Sequence, residues 1–325
     1  MANGFIQAER VVNTALGVLD REVVLPSLVW RDAGGNFAGA KNDTITIRVP
    51  STTNARRRDM RTGGDLVIDE LNETSVDVKL DTNIYKGVGV SLEELTLDVT
   101  DFEAQVSNPA TEAVGRDVED LLAEEMSGAT YRAGTHDLTI NAADPWQTIV
   151  QARTALNKSR VPAAGRYLAV GADAEEALIK SDRLSKLDVA GDGALREASL
   201  GSMAGFRNVV SVPGMDPDLM IAFHMTAFVL SMQAPNVPRG AVAGASRAWN
   251  GLAMTAIQDY DQINLRDRFV LHTFAGTNNV TDFGHFDAEG RWVAGLDEGT
   301  PLVVADGIAE DEARQMIRAV KMTLA

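Results

Sequence analysis

Two short alternating runs separated by a long polar stretch constrain this chain more than any other feature. In residues 44–50, Ile45, Ile47 and Val49 fall on one face and Thr46 and Arg48 on the other, the period-two pattern of a half-buried strand. Residues 75–80 repeat it with Val76, Val78 and Leu80. Between them, residues 51–65 carry Arg56, Arg57, Arg58, Arg61 and the Gly63-Gly64 pair, with almost nothing apolar. The pattern predicts a long β-hairpin with a strongly basic tip. A two-stranded ribbon is marginal alone in water, so this one needs another surface to rest on.

The remainder reads as a mixture of helices and strands. Phe5, Val12, Leu16 and Leu19 recur at helical spacing. Pro26 then limits the helix and pushes Leu25 toward extended geometry. Leu28, Val29 and Trp30 follow, then a Gly-rich stretch to Lys41. This segment reads as an arm, too short to bury Trp30 by itself. Ser91-Leu92-Glu93-Glu94 is a capping box that opens a short helix. The main helix spans 101–126, with Val106, Ala110, Val114, Val118, Leu121 and Leu122 as its apolar stripe. Pro109 either opens it, with Asn108 as cap, or kinks it.

Asp144-Pro145 begins another helix carrying Ile149, Ala152, Ala155 and Leu156, and residues 174–180 form a short one. Strands are expected at 167–171, 206–212, 220–223, 228–232, 254–257, 268–273, 291–293, 302–304 and 317–324, the last favoured over a helix. Residues 187–195 read as a Gly/Asp loop and 309–315 as short helix or loop. The class is α+β. At 325 residues the chain exceeds the ~250–300 at which single cores stop growing, so at least two packed regions are expected.

Composition narrows the function. The net charge of −16 disfavours bulk attraction to nucleic acid or to anionic membranes. There is no cysteine, hence no disulfide framework or thiolate site. The N-terminal residues lack a basic region followed by an apolar core, so no signal peptide is expected, and no run approaches ~18 apolar residues. His136, His224, His272 and His285 are scattered, without metal-ligand spacing. Gly87-Val88-Gly89 starts a dinucleotide-like pattern but has Leu92 where its third glycine belongs. Asp188, Asp192 and Gly193 lack the spacing and terminal Glu of a calcium loop. The pairs Glu93/Glu94 and Glu124/Glu125 are adjacent on helices and do not face each other. The sequence therefore offers no catalytic residue, cofactor site or metal site.

The Arg56, Arg57, Arg58 and Arg61 cluster has three readings. It contacts nucleic acid, although no aromatic is interleaved for base stacking. It is a solvated loop. Or it clamps carboxylates of a neighbouring subunit, the reading favoured here, with Trp30 as a further contact residue.

Several phrases then carry a resemblance. They are Arg21-Glu22-Val23-Val24-Leu25-Pro26, Phe37-Ala38-Gly39-Ala40-Lys41-Asn42-Asp43-Thr44 and Glu93-Glu94-Leu95-Thr96-Leu97-Asp98. Later come Ala152-Arg153-Thr154-Ala155-Leu156-Asn157, Ala204-Gly205-Phe206, Ala222-Phe223-His224 and Arg318-Ala319-Val320-Lys321. With the order arm, basic-tipped hairpin, long helix and compact α/β region, the chain resembles the major capsid proteins of tailed phages, those of actinobacteriophages in particular.

The resemblance covers nearly the whole chain. It implies an N-arm (1–43), an extended E-loop hairpin (44–88), a peripheral domain with a spine helix (89–138 and 239–285) and an axial domain (139–238). A C-terminal extension (286–325) follows, for which a return to the peripheral sheet is one route. It implies a structural, non-enzymatic subunit of the virion capsid, assembled in the bacterial host cytoplasm through hexamers and pentamers. Implied partners are copies of itself, a separate scaffolding protein, a portal protein, a decoration protein, and DNA enclosed without sequence-specific binding. Some relatives cross-link a hairpin Lys to a neighbour's Asn. Lys79 or Lys86 with Asn278 or Asn279 are the residues available, without a local signature. A nanocompartment shell of the same fold is the nearest alternative, distinguished by assembling without scaffold. A cytosolic α/β enzyme is the alternative of another class, and would need a concave polar pocket.

Overall fold

The computed structural model describes residues 5–31, 44–49, 55, 57–61, 63, 65–66, 68, 74–91, 102–141, 144–181, 203–294 and 314–324. The expected helix after Ser91, the 187–195 loop, the 302–304 strand and most of 309–315 lie outside these residues.

The first helix, α1 (Phe5–Glu22), forms where the apolar spacing predicts it. Its Val12, Ala15, Leu16 and Leu19 are buried in the chain's main core. The segment read as an arm thus packs one face into the subunit's own core, while Glu9, Asn13, Gly17 and Arg21 stay exposed. Leu25–Leu28 is a 3-10 turn rather than extended backbone. Pro26, its second residue, is tolerated in a first helical turn, where its missing N–H would have no intrahelical partner. One Glu119 carboxylate oxygen accepts the Val24 and Leu25 backbone N–H groups at 2.6 and 3.1 Å, a negative group placed at a helical N-terminus.

The long helix α2 (Asn108–Gly128) is entered from a π-helical turn, Glu103–Ser107. Asn108 is helical and donates its N–H back to the Glu103 carbonyl, so it is not a cap. Pro109 has no N–H for the residue four before it, and the widened turn accommodates that loss. The predicted stripe is buried except for the half-buried Leu121. Gly115 lets α1 cross closely: a Cβ there would stand 3.1 Å from Leu19 Cδ1.

These helices cover one face of an antiparallel sheet ordered β3 (Thr82–Ser91), β11 (Arg266–Asn279), β10 (Leu252–Asp261), β9 (Ala243–Trp249). A further strand, β8 (Phe228–Gln233), pairs with β11. Ile84, Leu252, Met254, Phe269 and Leu271 share the core with α1 and α2.

A second, mixed sheet runs β4 (Asp137–Ile140), β15 (Ala319–Leu324), β7 (Leu219–His224), β5 (Arg166–Val170), β6 (Val209–Ser211). Both faces are covered. Along β7, Leu219, Ile221 and Phe223 point into the main core, while Met220 and Ala222 point into a second one. That second core is closed by α3 (Pro145–Lys158) through Ile149, Ala152 and Leu156, and by α4 (Ala172–Lys180) through Ala174 and Leu178. Burial on both faces explains why β7 reads as an unbroken apolar run.

Smaller elements complete the fold. The hairpin pairs β1 (Thr44–Val49) with β2 (Thr74–Lys79). β12 (Asp282–Phe286) pairs with β13 (Trp292–Ala294) and β14 (Arg314–Gln315).

Two placements differ from the sequence expectation. The C-terminal strand β15 lies between β4 and β7 in the second sheet, not in the first. Its alternation puts Val320 and Met322 into the second core, a fit no local signal specifies. β8 belongs to the first sheet although it lies within 139–238, so the chain crosses between sheets at the β7–β8 turn. β4, β9 and β12 were not expected, β14 forms where short helix or loop was read, and of β3 only the glycines Gly87 and Gly89 were read as strand residues. β3 is interrupted by Gly87 and Gly89, and β9 (AGASRAW) is mostly small residues.

Candidate intersubunit contact surfaces

The hairpin is anchored at its base and exposed at its tip. Thr44 pairs with Lys79 and Val49 with Thr74 in a continuous antiparallel register. Val49, Val76 and Val78 are buried with Val229 of β8, Val280, and the partly buried Trp30 and Ile47. Asn278 donates its side-chain N–H to the Asp77 carbonyl at 2.7 Å. The ribbon approaches β11 so closely that a Cβ on Gly276 would lie 2.1 Å from the Lys79 carbonyl oxygen. The surface that the base needs is therefore supplied by the chain itself.

Trp30 belongs to that anchor. Its N–H donates to Phe228 O at 3.2 Å, its carbonyl accepts from Leu230 N–H at 3.0 Å, and it forms an isolated parallel bridge with Val229. The sequence-predicted contact residues are therefore divided between two places. Trp30 is half-buried at the base, Arg57, Arg58 and Arg61 are exposed at the tip, and Arg56 lies outside the described residues. Asp59 accepts the Arg61 backbone N–H at 2.7 Å, and Gly63 takes φ +64°, a left-handed conformation suited to glycine. Met60, Leu66 and Ile68 are 100%, 76% and 92% exposed. Sequence reasoning weighed the arginines and passed over these apolar side chains.

A second projection was not anticipated. The β10–β11 turn holds Ile263 at 91% and Leu265 at 59% exposure. Asp261 orders this turn by accepting the Ile263 and Asn264 backbone N–H groups, the Asn264 side-chain amide and the Arg266 guanidinium. These donors, the Asn264 side chain foremost, hold its carboxyl down at about 2. Leu265 has φ +50°, uncommon for a residue with a side chain. The D-x-x-N spacing was the available signal. Beside it, Arg268 pairs with Asp259 at 2.6 Å.

Among the described residues, no group of three or more His, Asp or Glu side chains could hold a metal ion. No described helix is long and apolar enough to cross a membrane. Lys79 and Lys86 lie on β2 and β3, while Asn278 and Asn279 end β11. Asn278 is engaged with Asp77 and Asn279 with Glu125.

This arrangement is the α+β fold of phage capsid subunits. The chain is similar to a protein of Mycobacterium phage Che8, with a TM-score of 0.59 and 18% identity over 92% of this chain and 90% of that one. It is similar to a chain of the capsid of the cyanophage P-SCSP1u, with a TM-score of 0.57 and 11% identity over 88% and 84%. A virus-like particle from Pyrococcus furiosus gives a TM-score of 0.51 and 13% identity over 84% and 95%. No family model and no curated relative matches the sequence.

Proposed function

We propose that this chain is a major capsid protein, a structural subunit that self-assembles through hexamers and pentamers into an icosahedral shell enclosing phage double-stranded DNA. The observation that carries this reading is the hairpin. Its base packs into a small apolar cluster with Trp30, Val229 and Val280, while Met60, Leu66 and Ile68 are exposed to solvent, as are Arg57, Arg58 and Arg61. Exposed apolar groups close in sequence to a basic cluster are the kind of feature that marks an interaction surface. The extent of the fold likeness to phage chains supports the same reading.

In this reading residues 1–43 are the N-arm, 44–88 the E-loop, 89–138 with 239–285 the peripheral domain, 139–238 the axial domain and 286–325 the C-terminal extension. The β8 and β15 pairings tie these parts together across their boundaries. The basic tip, Arg56 included, clamps carboxylates of a neighbour. Scaffolding, portal and decoration proteins are its partners, and assembly takes place in the host cytoplasm. A nanocompartment shell is a second reading, favoured by the likeness to the Pyrococcus particle over 95% of that chain.

Electron microscopy of the protein expressed with and without its neighbouring genes tests both. Scaffold-dependent shells that protect DNA from nuclease are expected. Small uniform shells formed without scaffold and filled with protein favour the nanocompartment. A monodisperse monomer under every condition overturns both.

A further inference from the structure

The crossover between the two sheets is held by a chain of hydrogen bonds. Asp282 on β12 forms a two-pronged pair with Arg318, through Nε at 2.6 Å and Nη2 at 2.5 Å. Arg318 Nη1 donates to the Thr226 hydroxyl at 2.8 Å. Thr226 Oγ1 lies 2.9 Å from His224 Nδ1, and its backbone N–H donates to the same nitrogen at 3.3 Å. His224 Nε2 lies 3.0 Å from the Ala164 carbonyl.

These contacts fix the tautomer. A carbonyl only accepts, so Nε2 carries the proton and Nδ1 is the acceptor. Gly165 makes the approach feasible, since a Cβ there would meet His224 Nε2 at 3.4 Å and Met225 Sδ at 3.1 Å. The location gives the chain its meaning. His224 ends β7 in the second sheet, β8 begins in the first four residues later, and the Arg318 carbonyl accepts the His224 backbone N–H just before β15.

We propose that this chain is a proton-sensitive latch at the joint between the sheets, closed by neutral His224 and opened when Nδ1 takes up a proton from solvent. Protonation removes the lone pair that accepts from Thr226, leaving the Thr226 backbone N–H without that acceptor. It also puts a second cation beside Arg318. The charged groups facing the ring are Arg318 before β15, Arg166 opposite it on β5, and Asp282 on β12, which is already engaged by Arg318. Arg166 is buried and spends its donors on the Pro162 and Val161 carbonyls and Asn157 Oδ1. Burial first, then these two arginines, lower the His224 pKa against the Ala164 bond. The latch therefore stays closed at neutral pH and opens on acidification.

Hydrogen–deuterium exchange of the full chain at pH ~7.5 and ~5.5, corrected for intrinsic rates, tests this against His224→Gln, which cannot take up the proton. At the higher pH the two proteins should match. At the lower pH peptides spanning 219–230 and 314–324 should exchange faster in the wild type, by up to about tenfold per pH unit once His224 titrates. Equal exchange at the lower pH overturns the proposal. Should the variant lose protection everywhere at the higher pH, the wild type alone decides: unchanged protection in those peptides between the two pH values also overturns it.

Discussion

Leu122 on α2 has no exposed surface and belongs to the main core. Leu122→Ala should lower stability by about 2–5 kcal/mol, the usual cost of such a core cavity, as read from urea unfolding midpoints. His136 carries a different kind of sensitivity. It is buried, its Nε2 lies 3.0 Å from Ser159 Oγ, and burial, then Arg132, push its pKa down to about 4. The unfolded chain takes this proton near 6.5, so the native state binds fewer protons between 6.5 and about 4. The contribution is fully present above 6.5 and falls with pH through that window, by about 1.4 kcal/mol per unit. Stability measured against pH should therefore be flatter for His136→Asn than for the wild type across this window.

At the scale of elements, the hairpin combines an anchored base with exposed described residues at its tip. Gly276→Ala should force β2 away from β11, because the new methyl meets the Lys79 carbonyl. Overpacking of this kind costs about 1–3 kcal/mol, and limited proteolysis should show cleavage near β2 increasing. Deleting residues 53–65 acts on the other end. The subunit should unfold at a midpoint close to the wild type's, since the base packs independently of the tip, yet assemble poorly. Normal shells from that deletion would remove the hairpin from the assembly mechanism.

For the whole molecule, the net charge of −16 makes approach of identical copies unfavourable unless local positive charge offsets it. In the proposed assembly the tip arginines supply that charge. Raising salt from ~0.01 M to ~1 M shortens the screening length from about 30 to about 3 Å. Shells of the wild type should loosen over this range, by light scattering. Those of the triple variant Arg57→Ala, Arg58→Ala, Arg61→Ala should start weaker and respond less. A single exposed pair is worth only about 0–1 kcal/mol, so the effect depends on repetition around the shell.

Local chemistry determined much of this protein. The alternation of 44–50 and 75–80, the stripe on α2, the helix opening at Pro145 and the apolar runs of β7 and β8 were all legible, because each element's period is written in its own residues. The exposure of the described tip residues was legible too, since a stretch with four arginines and almost no apolar side chain cannot form a core. Tertiary structure alone decided the rest. It packed one face of α1 into the main core and Trp30 against β8, set β15 between β4 and β7, and joined Asp282, Arg318, Thr226 and His224 through hydrogen bonds. It also made a strand of β9, whose small residues give a weak signal of their own. These outcomes depend on pairings between residues far apart in sequence, where a strand's partner is chosen by the shape and burial of both faces and by no pattern within the strand itself.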